Sequence, residues 1–287
     1  MSDRYRIRGE VGRGGMGWVY DAFDLEAREQ VALKRLKDRF NEPLDRYEQM
    51  RREFRREIAV SEQLMSIPGI PRFRGEGEWC GTVYYVMDFA KGDRLDAVFE
   101  RNPLFTVQEV AALGYSLATT LDHMHRLGLV HRDVKPANII VNCDGAINLI
   151  DFGITVQSGI SAPSIATRGY APREQVRDEV VHPTIDVYGL GCTLIRAHIG
   201  DIPYGEELQY NIGDQVHTLS DGDRYRIAPS LQPLLVEMVE RQANRRPQSM
   251  SEVLHRLEPL LPEPGSKPEP LAARPDPTLP YRRRPHA

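Results

Sequence analysis

Cysteine is scarce: there are three among 287 residues, Cys80, Cys143 and Cys192, odd in number and far apart. Such a set cannot supply a disulfide framework, and none has the spacing of a metal ligand. Each reads as a reduced thiol, and no metal centre built from Cys and His is expected. Positive charge is not in excess either. The 37 Lys and Arg stand against 41 Asp and Glu for a formal net charge of −4, so no general basic field exists to hold nucleic acid. No apolar run approaches the roughly 20 residues that a membrane helix needs. The opening "MSDRYRIRGE" has no apolar core of a secretory leader. The expectation is a chain with no nucleic-acid partner and no membrane span of its own, located in the cytoplasm.

What is present is an ordinary globular balance, 41% hydrophobic and 27% charged, in a length that suits one large domain or two lobes. The first 90 or so residues read as strands. "YRIRGEVGRGGMGWVYDAFD" and "EQVALKRL" suggest a glycine-broken hairpin and a third strand, and "GTVYYVMDFA" another. One helix interrupts them from Asp45 to Met65, with Tyr47, Met50, Phe54, Ile58 and then Leu64 or Met65 at helical period. Its "RREFRRE" run is a solvated face.

From Thr106 the pattern turns helical. Thr106 with Glu109 three residues later predicts a capped start, and Gly128 an end. "NIIVNCDGAINLID" predicts a hairpin turning at "DG". "TIDVYGLGCTLIRAHIG" is apolar nearly all round and so predicts a buried helix, with two amphipathic helices after it. Beyond Leu261 the proline density of "PEPGSKPEPLAARPDPTLPYRRRPHA" predicts an extended or disordered tail. The resulting plan is α+β: a β-rich lobe over 1–88, a mainly helical lobe over 89–261, and a tail over 262–287.

Several short segments carry chemistry. Gly12, Gly14 and Gly17 have G-x-G-x-x-G spacing, which lets backbone amides approach phosphate. "WVYDAF" continues as strand where a dinucleotide fold would start a helix, favouring a β-hairpin lid over a nucleotide. Lys34 lies on the next strand, and Glu57 is on the helix face that could meet it, with Glu53 and Glu62 as competitors. "LVHRDVKPANIIVNCDGAINLIDFG" sets Asp133, Lys135, Asn138 and Asp151 among core-forming triplets. Charges so placed need a partner or a metal. Asp133 can accept a proton from an attacking hydroxyl and Lys135 can offset charge on a transferred group. Asn138 and Asp151 are hard oxygen ligands suited to Mg²⁺ held against phosphate, with Mn²⁺ as a substitute.

Together these segments resemble a eukaryotic-type (Hanks-type) protein kinase, most closely the bacterial Ser/Thr kinases, over about residues 5 to 261. The resemblance implies a bilobal fold that binds ATP through Val11, Gly12, Arg13, Gly14, Gly15, Met16, Gly17, Trp18, Val19, Ala32 and Lys34. It places Met87 as gatekeeper, with Asp88 and Ala90 on the adenine-facing hinge. It makes Asp133 the base, Asn138 and Asp151 the metal ligands, and Lys34–Glu57 an ion pair. "ATRGYAPREQ" resembles the substrate-platform segment, with Thr167 facing the catalytic loop and Glu174 paired to Arg246, and Asp186 sits on the buried helix. The proline of "APRE" stands one place early relative to the family pattern.

The implied function is transfer of the ATP γ-phosphoryl group to Ser/Thr hydroxyls of proteins, including this chain itself. A small-molecule phosphotransferase and a pseudokinase are the alternatives. The first lacks the platform elements, and the second would lack one of Lys34, Asp133, Asn138 or Asp151. Many relatives continue into a membrane helix, so the chain could be the cytoplasmic part of a longer anchored protein. Arg132, next to the base, has no acid in the loop after Asp151 to neutralise it. Phosphate on Ser158, Ser161 or Ser164, added in trans within a transient homodimer, is therefore expected to order that loop beside Thr167.

Overall fold

Alternating burial organises the N-terminal part of the chain. Strands β1 (Tyr5–Arg13), β2 (Gly17–Asp24), β3 (Glu29–Leu36), β4 (Phe73–Trp79) and β5 (Thr82–Asp88) form one antiparallel five-stranded sheet in the order β1-β2-β3-β5-β4. On β5, Val83, Tyr85 and Met87 point to one face and Tyr84 and Val86 to the other, as a two-residue period requires. The first face receives helix α1 (Leu44–Gln63), whose Tyr47, Met50, Phe54 and Ile58 pack with Leu36, Val83 and Tyr85. Burying each of these large apolar side chains contributes about 1.5–3 kcal/mol, which is what seats a helix that has no side-chain N-cap.

This computed structural model describes residues 4–101, 104–163, 165, 167–177, 179–203, 219–268 and 275–283. It divides into Met1–Ala90 with Asp151–Gly153, and Lys91–Ile150 with Ile154–Ala287. The division departs from the expected lobes in that residues 151–153 belong with the first unit and the C-terminal segment with the second.

The second unit is mainly helical: α2 (Leu95–Arg101), α3 (Val107–Arg126), α4 (Arg173–Val176), α5 (Thr184–Ile199), α6 (Asp221–Arg226), α7 (Gln232–Met238), α8 (Met250–Leu257) and α9 (Leu279–Arg282). Thr106 and Glu109 close a reciprocal capping box on α3, satisfying two of its orphan amides. Helix α5 is buried almost all round and ends at Gly200 with φ +87°. The hairpin β8 (Ile139–Val141) and β9 (Ile147–Leu149) is extended by β6 (Asp93–Arg94), while β7 (Leu129–Val130) pairs with β10 (Val156–Gln157). The hairpin turns at Gly145, whose φ is +84°.

The tail expected over 262–287 is not a free coil throughout. Within it, residues 275–283 are docked. Tyr281 is 5% exposed, its ring edge-on to Tyr115 of α3 with centroids 5.9 Å apart. Its hydroxyl is 2.7 Å from Ser116 Oγ and donates to the Ala112 carbonyl at 3.3 Å. Arg282 donates to Gln108 Oε1 at 2.7 Å, Thr278 Oγ1 at 2.8 Å, Ser266 Oγ at 2.6 Å and the Lys267 carbonyl at 2.8 Å. A Cβ on Gly145 would lie 2.2 Å from the Asp276 carbonyl oxygen, so this turn glycine is required by the docked segment as well as by its own φ. Proline density forbids a core of the tail's own, but a few side chains suffice when α3 supplies the other half.

Candidate functional site

In the first unit, the glycine-rich turn joins β1 to β2, with Gly14 N–H donating to the Gly17 carbonyl at 2.8 Å. The glycines differ in why they are there. A Cβ on Gly17 would fall 2.2 Å from the Arg35 carbonyl oxygen, so the packing of β2 on β3 excludes any side chain. Gly12, Gly14 and Gly15 meet nothing closer than 3.8 Å, so the fold itself does not require them. Val11, Gly12 and Arg13 lie on β1, Gly15 and Met16 in the turn, and Trp18 and Val19 on β2. Val11 is half exposed, Arg13 pairs with Glu10 at 2.5 Å, and Met16 packs against the α1 core.

The sheet register fixes the neighbours of Lys34. Val19 stands opposite it on β2 and Tyr85 on β5, while Ala32 stands opposite Met87. Lys34 Nζ lies 2.5 Å from Glu57 Oε1 and 3.0 Å from Asp151 Oδ1. Burial opposes its charge, but the Glu57 and Asp151 carboxylates outweigh that and hold the ammonium well above its ordinary range. Of the three candidate glutamates, Glu57 meets Lys34; Glu53 accepts from the Gln49 side chain and Glu62 is exposed. Burial raises the Glu57 carboxyl above the usual carboxylate range, opposed by Lys34 and Tyr85.

Asp151 has φ +67°, a left-handed conformation that Asp tolerates better than most residues, and its side chain is half exposed. Phe152 beside it is buried. At the hinge, Asp88 N–H is committed to the Arg72 carbonyl at 2.9 Å, and its carboxylate takes the Arg74 guanidinium. Ala90, two residues on, ends this part of the unit.

In the second unit, Asp133 is the hub of a short polar network. Its Oδ1 accepts from Thr167 Oγ1 at 2.7 Å, and its Oδ2 from Asn138 Nδ2 at 2.7 Å and from Lys135 Nζ at 2.7 Å. Lys135 also donates to Thr167 Oγ1 at 2.7 Å. Asn138 Nδ2 makes a second bond to the Asp133 carbonyl at 2.9 Å, which leaves the amide oxygen as its acceptor.

The loop carrying these groups is held from below by Asp186 at the start of α5, which accepts from His131 N–H at 2.9 Å and Arg132 N–H at 2.8 Å. His125 Nε2 lies 2.8 Å from the same carboxylate, a partner the linear spacing did not reveal. Burial works to raise the Asp186 carboxyl, but the His125 hydrogen bond and the surrounding positive charge prevail and hold it below its ordinary value. Glu174 and Arg246 pair at 2.5 Å, the arginine also stacking 4.8 Å over the Tyr188 ring.

Arg132 corrects one sequence expectation. The sequence offers its guanidinium no acidic partner in the following loop unless that loop is phosphorylated. Instead Arg132 is buried, donating to the Pro163 carbonyl at 2.7 Å and the Ile154 carbonyl at 3.4 Å. Backbone carbonyls, invisible to a search for acidic side chains, accept from its two terminal nitrogens. Ser158 donates to the Val181 carbonyl at 3.3 Å, Ser161 is exposed, and Ser164 lies outside the described residues.

Among the described residues no group of three or more His, Cys, Asp or Glu side chains could hold a metal, and no helix is long and apolar enough to cross a membrane.

The family model described as the protein kinase domain matches residues 5–257. The chain is 27% identical to a probable serine/threonine-protein kinase of Clostridium acetobutylicum over 266 residues, covering 90% of this chain and 40% of that protein. It is 31% identical to the serine/threonine-protein kinase PknA of Mycobacterium tuberculosis over 216 residues, covering 71% of this chain and 48% of the relative. The probable serine/threonine-protein kinase PknB of Corynebacterium glutamicum is 32% identical over 226 residues, covering 75% and 34%. The chain thus spans less than half the length of these relatives. With a match that takes in both the Lys34 sheet and the Asp133 loop, the chain belongs to the protein kinase domain family.

Proposed function

We propose that the chain is an ATP-dependent serine/threonine protein kinase. The observation that carries this reading is the Asp133 carboxylate, which already accepts a hydroxyl hydrogen bond, from Thr167, while the Lys135 ammonium lies 2.7 Å from both groups. That is the arrangement a base needs to take a proton from a serine or threonine hydroxyl. Lys34, charged and aimed by Glu57, would bind nucleotide phosphates, and the unobstructed Gly12, Gly14 and Gly15 would let their amides come close to them.

Family membership implies ATP and a divalent cation; Mg²⁺ is the species we propose, with Mn²⁺ as a substitute. The Asn138 amide oxygen and an Asp151 carboxylate oxygen are hard donors that fit such an ion. When bound, it would neutralise charge on the phosphates. The Glu174–Arg246 pair and the buried Asp186, which holds the His131–Arg132 loop, are the platform elements that a small-molecule phosphotransferase lacks, and they support a protein acceptor. Cytoplasmic location and a transient homodimer for autophosphorylation belong to the same proposal.

The test is transfer of labelled phosphate from Mg-ATP to a generic protein acceptor, with the modified residues identified by mass spectrometry. Phosphoserine and phosphothreonine are expected. Nucleotide binding with no transfer would reduce the chain to a binding module.

The partners of Arg132 change the expected regulation. Because loop carbonyls already hold two nitrogens of its guanidinium without phosphate, phosphatase-treated protein should retain most of its activity, and any autophosphorylation should favour exposed Ser161 over Ser158. Initial rates before and after incubation with Mg-ATP, followed alongside loop phosphate, decide the matter. Activity that starts at background and rises with loop phosphate would show that the loop needs the modification.

A further inference from the structure

Glu57 poses a problem that Lys34 alone does not solve. Its side chain is fully buried, and a buried carboxylate is costly unless several donors reach it. Lys34 Nζ supplies one, at 2.5 Å from Oε1. The second comes from β5: the Tyr85 hydroxyl donates to the same oxygen at 2.9 Å. Glu57 Oε2 has no hydrogen-bond partner among the described residues, so these two donors are the side-chain bonds that orient the group.

The geometry of the sheet makes this a fixed arrangement. Lys34 and Tyr85 are directly opposed across the β3–β5 ladder, so both side chains rise from the same face towards α1. The Tyr85 ring is itself locked, 1% exposed, with Phe54 at 5.6 Å and Phe73 at 6.4 Å between centroids. A phenol held this way cannot swing to another acceptor without opening the α1 core. A phenylalanine in its place would pack equally well, so packing does not account for the hydroxyl.

We propose that Tyr85 is a positioning residue of the Lys34–Glu57 pair, its hydroxyl holding the Glu57 carboxylate in the rotamer that meets Lys34. The proposal rests on the kinase reading for its consequence in activity, but the contact can be tested without that reading. Tyr85 touches no reacting atom and acts only through Glu57.

Tyr85→Phe removes the hydroxyl and keeps the ring. A hydrogen bond to a buried charge lost in this way should lower kcat/KM by about tenfold. Glu57→Gln provides the control that a general packing defect would not pass. If Tyr85 works through the carboxylate, the double variant Tyr85→Phe/Glu57→Gln should be no worse than Glu57→Gln alone; additive losses would overturn the proposal.

The second measurement is thermal stability against pH. Burial already holds the Glu57 carboxyl above its ordinary 4.5, and losing a donor raises it further. A group raised in the folded state contributes its stability below the unfolded value and loses it as pH rises through the folded value. The gap in Tm between wild type and Tyr85→Phe should therefore be small at acid pH, where the folded carboxyl is protonated, and widen as pH rises through its folded value. A gap independent of pH would overturn the role. Should the wild type transfer no phosphate at all, the kinase reading fails, and the pH dependence still decides for or against Tyr85.

Discussion

Replacing Asp133 by Asn is expected to lower phosphoryl-transfer turnover by about 10³-fold, within the range a positioned general base supplies, and to leave nucleotide affinity almost unchanged. The substitution is nearly isosteric. Its chief structural neighbour, Asn138, keeps its second bond, to the residue-133 backbone carbonyl at 2.9 Å. His131 and Arg132 stay anchored to Asp186 through their own amides. What disappears is the carboxylate that Thr167 and Lys135 converge on. Labelled-phosphate transfer measured beside a nucleotide titration separates the two effects. Near wild-type turnover would remove Asp133 from the chemistry. Loss of binding together with turnover would instead point to a structural role. Asp151→Asn should behave differently, impairing nucleotide use directly, because it removes both a hard oxygen donor and a partner of Lys34.

Ending the chain after Leu261 is expected to destabilise it by about 3 kcal/mol, from the lost burial of Tyr281 and the lost hydrogen bonds of Arg282. For a domain of this size that is on the order of 6–10 °C in Tm. This reverses what composition suggests, since a proline-rich tail should be dispensable. The measurement is calorimetry on chains ending at 261 and at 283. Tyr281→Phe, which deletes only the hydroxyl that meets Ser116 and Ala112, should fall between them. Equal melting temperatures for the two chain lengths would show that the docked segment contributes nothing. The family match stops at residue 257, so a domain cut by family limits would discard these contacts.

Much of the fold was legible because it rests on local rules. The Thr106–Glu109 cap, the apolar stripe of α1, the all-apolar α5 and the Asp-Gly hairpin are each decided within a few residues by hydrogen bonding or periodicity. The candidate chemistry was legible for a related reason. Asp133, Lys135 and Asn138 lie within six residues of one another, so one short loop sets their geometry. Glu57 could be narrowed to one helix face by its phase relative to Met50 and Phe54, although only the sheet beneath that face separated it from Glu53.

What the sequence by itself determined, then, is whatever short-range chemistry dictates: the kind of the long, strongly patterned elements, the kinase motifs and the residues able to act as acid, base or ligand. Tertiary structure decided the pairings across long separations. Tyr85 meets Glu57 because β3 and β5 are neighbours in a particular register, which no local pattern specifies. Arg132 finds carbonyl oxygens, which every residue has and composition therefore cannot mark. Gly17 is needed where β3 comes close, and Gly145 where Asp276 does, more than a hundred residues away. Residues 275–283 are ordered by α3, a surface absent from their own sequence. In each case the deciding energy belongs to a contact whose second half lies elsewhere in the chain.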